Sequence, residues 1–292
     1  MDPGLIKQLA LASIPPGIAG LLVALIIDRW TSRPALATLI AAGALTLTYI
    51  LVHAFLLGGL RLPPVSTGEW LPVLAFVGAL STPFLRVSLR PQSRGIDWLV
   101  PAIVMLAGYL VSRTFVRGSW SAGESVAYLG VFTLAGWWGV SAAGRLHTRS
   151  PGPLAPAALA ITAAGIANVL VLGFYSLKLA QAAGVVCAFL AGITLLRMFR
   201  SGGAIRAASA LVPILLLNTL LLLGLILGDV RHGVWMAILC AASLPLTGLL
   251  FLRPLSRLGP RTTTIAGMIL AAIPVIAANV LALLLYEAPP DY

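Results

Sequence analysis

Stretches of about twenty apolar residues follow one another along this chain, and each is long enough to cross the roughly 30 Å hydrocarbon core of a bilayer as an α-helix. They fall at about 5–27, 35–60, 70–85, 98–117, 125–144, 154–177, 179–196, 207–228, 233–252 and 264–286. Lipid offers no partner to a backbone N–H or C=O, so a spanning segment must satisfy its own hydrogen bonds. The connections between the runs are too short to hold a soluble domain. The predicted fold is therefore all-α: a polytopic transmembrane helical bundle of about ten membrane-spanning helices, with residues 1–292 forming a single integral membrane domain.

Composition agrees. Only 9% of the residues are charged and 60% are hydrophobic, whereas a soluble domain carries roughly 25% charged residues. The net charge of +11 raises the question of nucleic acid. The cations lie between apolar runs and not on one basic face, so no nucleic-acid partner is expected; the expected partner is the lipid bilayer. Cys187 and Cys240 both lie inside apolar runs and read as small core residues. Lys7 already sits within the first run, which ends at Asp28-Arg29 without a small-residue cleavage site. That run reads as a retained first helix and not a signal peptide.

The distribution of cations tests the span count, because Lys and Arg accumulate in cytoplasmic loops. The connections after spans 1, 3, 5, 7 and 9 hold 13 cations, in groups beginning at Arg29, Arg86, Arg145, Arg197 and Arg253; the other side holds 6, namely Lys7, Arg61, Arg113, Arg117, Lys178 and Arg231. A wrong count would scramble this alternation. The Arg-rich side is expected to be cytoplasmic, with both termini outside. An Arg-, Ala-, Gly- and Pro-rich chain points to a bacterial cytoplasmic (inner) membrane. Within that side, Arg86, Arg90 and Arg94, and likewise Arg253, Arg257 and Arg261, recur every four residues. Such sets suit anionic lipid headgroups. The shortest run, 70–85, contains Ser81-Thr82-Pro83 and leaves open a re-entrant segment, which would invert every later loop. Trp30 and Trp98 fall at inner ends and Trp70, Trp120 and Trp235 at outer ends, as an interfacial belt requires. Trp137 and Trp138 fit no belt and are expected to pack within the bundle.

The first cations of the five Arg-rich connections recur at similar intervals, as five helical hairpins would give. Val212-Pro213 to Asn218-Thr219-Leu220 and Ile273-Pro274 to Asn279-Val280-Leu281 both place Pro five residues before Asn. A repeat of hairpins and an inverted five-plus-five division are both open; no residue match supports the second.

Four residues form a candidate intramembrane polar cluster: Asn168, Asn218, Asn279 and His53. The three amides lie 10, 11 and 8 residues before Lys178, Asp229 and Glu287, a depth of about 12–17 Å below the outer surface. An amide at that depth needs a partner. It is either glue between helices or part of a solute or ion site, and in both versions it should point inward. His53 is the only group titrating near neutrality well inside a span. Pro15, Pro16 and Gly17 mark a candidate broken helix, since two adjacent residues lack N–H groups and Gly17 adds freedom. Pro83, Pro213, Pro245 and Pro274 mark further kinks. Ala135, Gly139 and Ala143 form a small-residue stripe that invites a close helix neighbour.

No carboxylate lies in the middle of a span, where a proton-driven carrier usually keeps one. There is no metalloprotease His-Glu pair, no nucleophile elbow and no phosphate loop; Ser119-Trp120-Ser121-Ala122-Gly123 lacks the first glycine of an elbow. No catalytic residue, metal site or cofactor is expected. The sequence supports two readings: a small-solute permease or channel-like protein, and a non-enzymatic membrane scaffold or accessory subunit of an envelope assembly.

Overall fold

A computed structural model describes residues 3–29, 34–57, 59, 63–88, 98–149, 152–199, 210–228, 233–251 and 259–285. The expected arginines 33, 61, 90, 94, 200, 206, 231, 253 and 257 lie outside these residues, as do Trp30, Asp229, His232 and Glu287. Ten α-helices follow in order: α1 (Pro3–Arg29), α2 (Pro34–Leu57), α3 (Trp70–Ser88), α4 (Leu99–Gly118), α5 (Ala122–Arg149), α6 (Leu154–Leu172), α7 (Leu177–Phe199), α8 (Leu211–Gly228), α9 (Gly233–Leu246) and α10 (Pro260–Leu284). Each, α9 with the 3-10 turn that prolongs it, is long and apolar enough to cross a membrane. The chain is a multi-pass, all-α membrane protein.

One helix occupies the middle. α8 packs against α2, α3, α4, α5, α6, α7 and α9, and these seven contact one another in a closed ring, in the order α2, α3, α4, α5, α9, α6, α7. α1 lies outside α7 and α2; α10 lies outside α6 and α9. The sequence of α8 suits its place. Leu211 to Gly224 are all buried, and apart from Asn218 and Thr219 the run is apolar on every side. A helix hydrophobic all round belongs in an interior. Thr219 returns its hydroxyl proton to the Leu215 carbonyl at 2.7 Å, so it asks nothing of its neighbours.

The packing register fixes relative direction. Gln181 of α7 donates to Gln8 of α1 at 3.2 Å, Gly192 lies against Gly17 and Leu21, and Arg197 is within electrostatic reach of Asp28. Residue numbers rise together along the two helices, so α1 and α7 are parallel. α6 and α10 are also parallel: Leu154 meets Gly267, Gly165 meets Val275, and Gly173 meets Ala282. α4 and α5 are antiparallel, with Gly108 on Phe132 and Gly136 on Val104. Parallel α1 and α7 require an odd number of crossings between them, here the five of α2 to α6. A re-entrant 70–85 would make them antiparallel; α3 instead runs from Trp70 to Ser88 as one helix.

Glycines set the closest crossings. A Cβ on Gly20 would fall inside 3.0 Å of the Phe189 carbonyl, and one on Gly192 would do the same to the Gly17 carbonyl. The two backbones therefore touch, the packing that small residues permit in membranes. Here the expected break in α1 is corrected: the helix is continuous from Pro3 to Arg29 with Pro15 and Pro16 inside it. Proline's fixed φ is already helical, and its cost is a missing donor and a crowded carbonyl one turn earlier. Gly17 offers its carbonyl to Gly192 of α7, while a Cβ on Gly17 itself would lie at an ordinary 3.7 Å from the Ala188 carbonyl. Pro83 and Pro274 also lie within continuous helices. Pro213 falls in the first turn of α8, and Pro245 precedes the change from α9 to the 3-10 turn Thr247–Phe251.

Candidate functional site

The four polar candidates do not gather. Asn168 is exposed, on the stripe of α6 that also shows Ala164 and Val171. This departs from the inward orientation expected of it, because α6 commits its remaining faces to α5, α7, α8, α9 and α10. Asn279 on α10 is half-buried; its Nδ2 donates to Val275 O one turn earlier at 2.8 Å and to Gly165 O of α6 at 3.4 Å. That amide acts as glue between α10 and α6. His53 on α2 is buried beside Tyr49, with ring centroids 5.8 Å apart. The His53 Nδ1 and the Tyr49 hydroxyl have no hydrogen-bond partner among the described residues, and Glu69 lies within electrostatic reach.

Asn218 differs from the others. It lies near the middle of α8, is 8% exposed, and its Nδ2 has no partner among the described residues. The backbone of Gly136 on α5 passes so close that a Cβ there would meet the amide nitrogen at 2.8 Å. The side chain lines a cavity of about 230 Å³ between α5, α8 and α9. Val131 and Ala135 of α5 and Ile238 and Ala241 of α9 line both this cavity and a second of about 450 Å³, which continues past Trp138, Pro245 and Leu249. The two are lobes of one groove along the α5–α9 seam. Their size is comparable with pockets of roughly 300–1,000 Å³ that hold small molecules. Val131, Leu134, Trp138 and Ile238 are exposed along it, so it opens sideways, toward where lipid lies.

Trp137 and Trp138 are 42% and 62% exposed, which corrects their expected place within the bundle. Ala135 and Gly139 of the small-residue stripe do separate work: Gly139 seats Ile214 of α8, where a Cβ would come to 3.3 Å, while Ala135 faces the groove. At one end of the groove Tyr128 stacks on Trp120 at 4.8 Å, and Trp120 reaches Phe115 at 5.9 Å. Nearby, Arg113 lies over the Trp70 ring at 5.6 Å.

Polar residues that sequence reasoning passed over hold the bundle together. Ser243 of α9 donates to Ala271 O of α10 at 2.7 Å and lies 2.7 Å from the Thr162 hydroxyl of α6. Thr46 of α2 donates to Ala75 O of α3 at 3.1 Å. Glu124 accepts from Ser121 N and Oγ at 2.8 and 2.9 Å, so the elbow-like segment is the N-cap of α5. The Ser-x-x-Glu spacing was its legible signal. Arg197, at the end of α7, is buried with Nε and Nη2 unpartnered among the described residues.

No group of three or more His, Cys, Asp or Glu able to hold a metal occurs among the described residues. No protein-family model matches the chain, and no curated protein matches its sequence. The fold defines the class, a ten-helix integral membrane protein.

Proposed function

We propose that the chain is a non-enzymatic membrane subunit that serves a partner or guest within the bilayer, and not a conduit for a water-soluble solute. We place it in a bacterial cytoplasmic membrane, with both termini outside and the Arg-rich connections against anionic headgroups. The observation that carries the reading is α8. A buried, leucine-rich helix fills the axis of the seven-helix ring, where a central permeation path would otherwise run. The sites of Asn218, Asn279 and His53 belong to three different helix interfaces, and Asn168 faces outward, so the four do not share a lumen.

Water access decides the matter. In a Cys187→Ala/Cys240→Ala background, single cysteines replace Leu216 or Leu220, both fully buried on α8. A membrane-impermeant thiol reagent is applied to sealed vesicles of each sidedness, with a cysteine at exposed Gly123 as the positive control. We expect the control to react and the α8 positions to stay unmodified. Rapid modification at Leu216 or Leu220 would establish a water path through the ring and favour the permease reading.

A further inference from the structure

We propose that the groove between α5 and α9 is a binding site for an acyl chain carrying a hydroxyl group near its middle, taken up from the lipid phase. The observation that singles out this groove is the orphaned amide of Asn218 in its wall. An amide removed from water without a partner costs on the order of 2–7 kcal/mol, and lipid tails supply neither donor nor acceptor. Ten residues separate Asn218 from Gly228, so the amide lies about 15 Å below the outer end of α8. That is far deeper than headgroups and their linkages. An occupant that satisfies it must bring a polar group into the centre of the bilayer on an otherwise apolar body. Nδ2 is sealed against the Gly136 backbone, so the end of the amide left to the groove is Oδ1, to which a hydroxyl can donate.

The shape selects a chain and not a helix. α5 and α9 touch along the seam, which leaves a slot too narrow for a helix about 10 Å across. The lining supplies small and branched apolar walls: Ala135 and Ala241 leave room, while Val131 and Ile238 flank it. At the outer mouth, the Tyr128–Trp120 stack lies at the level where the lipid's headgroup would rest. Aromatic rings of that kind favour the interface.

The test uses the intact chain in phosphatidylcholine nanodiscs. Two photoreactive phosphatidylcholines are compared, one with a mid-chain hydroxystearoyl tail and one with a stearoyl tail, each carrying a diazirine beyond the position of the hydroxyl. We expect the hydroxylated probe to label α5 and α9 peptides about fivefold more than its counterpart, the preference one intramembrane hydrogen bond would give. Asn218→Leu should reduce the ratio to one, and should raise the thermal midpoint of the probe-free protein, since it removes an unpartnered amide. Ala241→Phe, which narrows both lobes, should abolish groove labelling by either probe. Equal labelling by the two probes would mean occupancy by bulk lipid only and would overturn the proposal. So would a hydroxyl preference that survives Asn218→Leu, a lowered midpoint in that variant, or failure of either probe to reach the groove.

Discussion

Replacing Gly192 by alanine puts the smallest possible side chain into the backbone-to-backbone crossing of α1 and α7. The added carbon would lie inside 3.0 Å of the Gly17 oxygen and 3.0 Å from Leu21 N. Both neighbours are backbone, so no rotamer change can relieve the clash. α1 and α7 must separate, and a gap of about 0.5–1 Å already forfeits a quarter to a half of each dispersion contact across it. Overpacking of this kind costs about 1–3 kcal/mol. Alanine's better helix propensity returns up to about 1 kcal/mol. The net expectation is a loss of about 1–2 kcal/mol. Gly184 is the control, because it lies two turns earlier on the same helix and a Cβ there meets nothing within 4 Å. Gly184→Ala should be neutral or stabilising. Thermal unfolding in detergent, followed by modification of buried Cys240, reads both variants, and at about 2–4 °C per kcal/mol they should differ by several degrees. If Gly192→Ala melts at or above Gly184→Ala, the helices are not in backbone contact and the crossing described here is incorrect.

Gly165→Ala should lose about 1–3 kcal/mol, because its Cβ would overlap Val275 of α10, and Val275→Ala should restore most of the midpoint. Ser243→Ala removes the link between α9, α6 and α10 and should cost about 0.6–1.7 kcal/mol in reversible unfolding; no change would mean that the hydroxyl is idle. Asn279→Leu should cost about 0.6 kcal/mol or less, as the interhelical bond is long and the other falls within its own helix; a larger loss would reveal a heavier role. Epitope tags at either terminus should react on intact cells, and a cysteine near Arg145 should not; the reverse pattern would invert the topology.

Span number and span limits were legible because hydrocarbon thickness and loop charge are one-dimensional signals. α6 illustrates how little the limits moved, ending at Leu172 where the apolar run alone suggested 177. Gly173 caps the helix and Tyr175, with φ of 51°, completes the turn; the glycine was a stop signal in the sequence, but the apolar run continued past it. The centrality of α8 was also written in its sequence, as a run with no polar face. The arrangement of the candidate amides was not. Three asparagines at one depth on helices of one direction look alike along the chain, yet depth says nothing of azimuth. Which side of α6 or α8 faces a neighbour is set by three-dimensional partners such as Gly136 and Gly165. The same limit applies to Gly20, whose freedom and smallness are indistinguishable in sequence; contact with the Phe189 carbonyl of α7 is what makes smallness the property in use.

The position of α8 also governs how the protein can be made. Seven helices are arranged around an axis that is the eighth to leave the ribosome, and about 170 residues separate the end of α2 from the end of α8. At roughly 5–20 residues per second, α2 and α3 wait in the membrane for about 10–35 s before the surface they will pack on exists. Of the ring helices α9 arrives last, and it packs on α5, α6 and α8. During biogenesis these early helices must be held apart from strangers by lipid, by α1, or by an insertion factor. A chain truncated after α7 should be a target for membrane proteolysis and not a smaller working version of the protein.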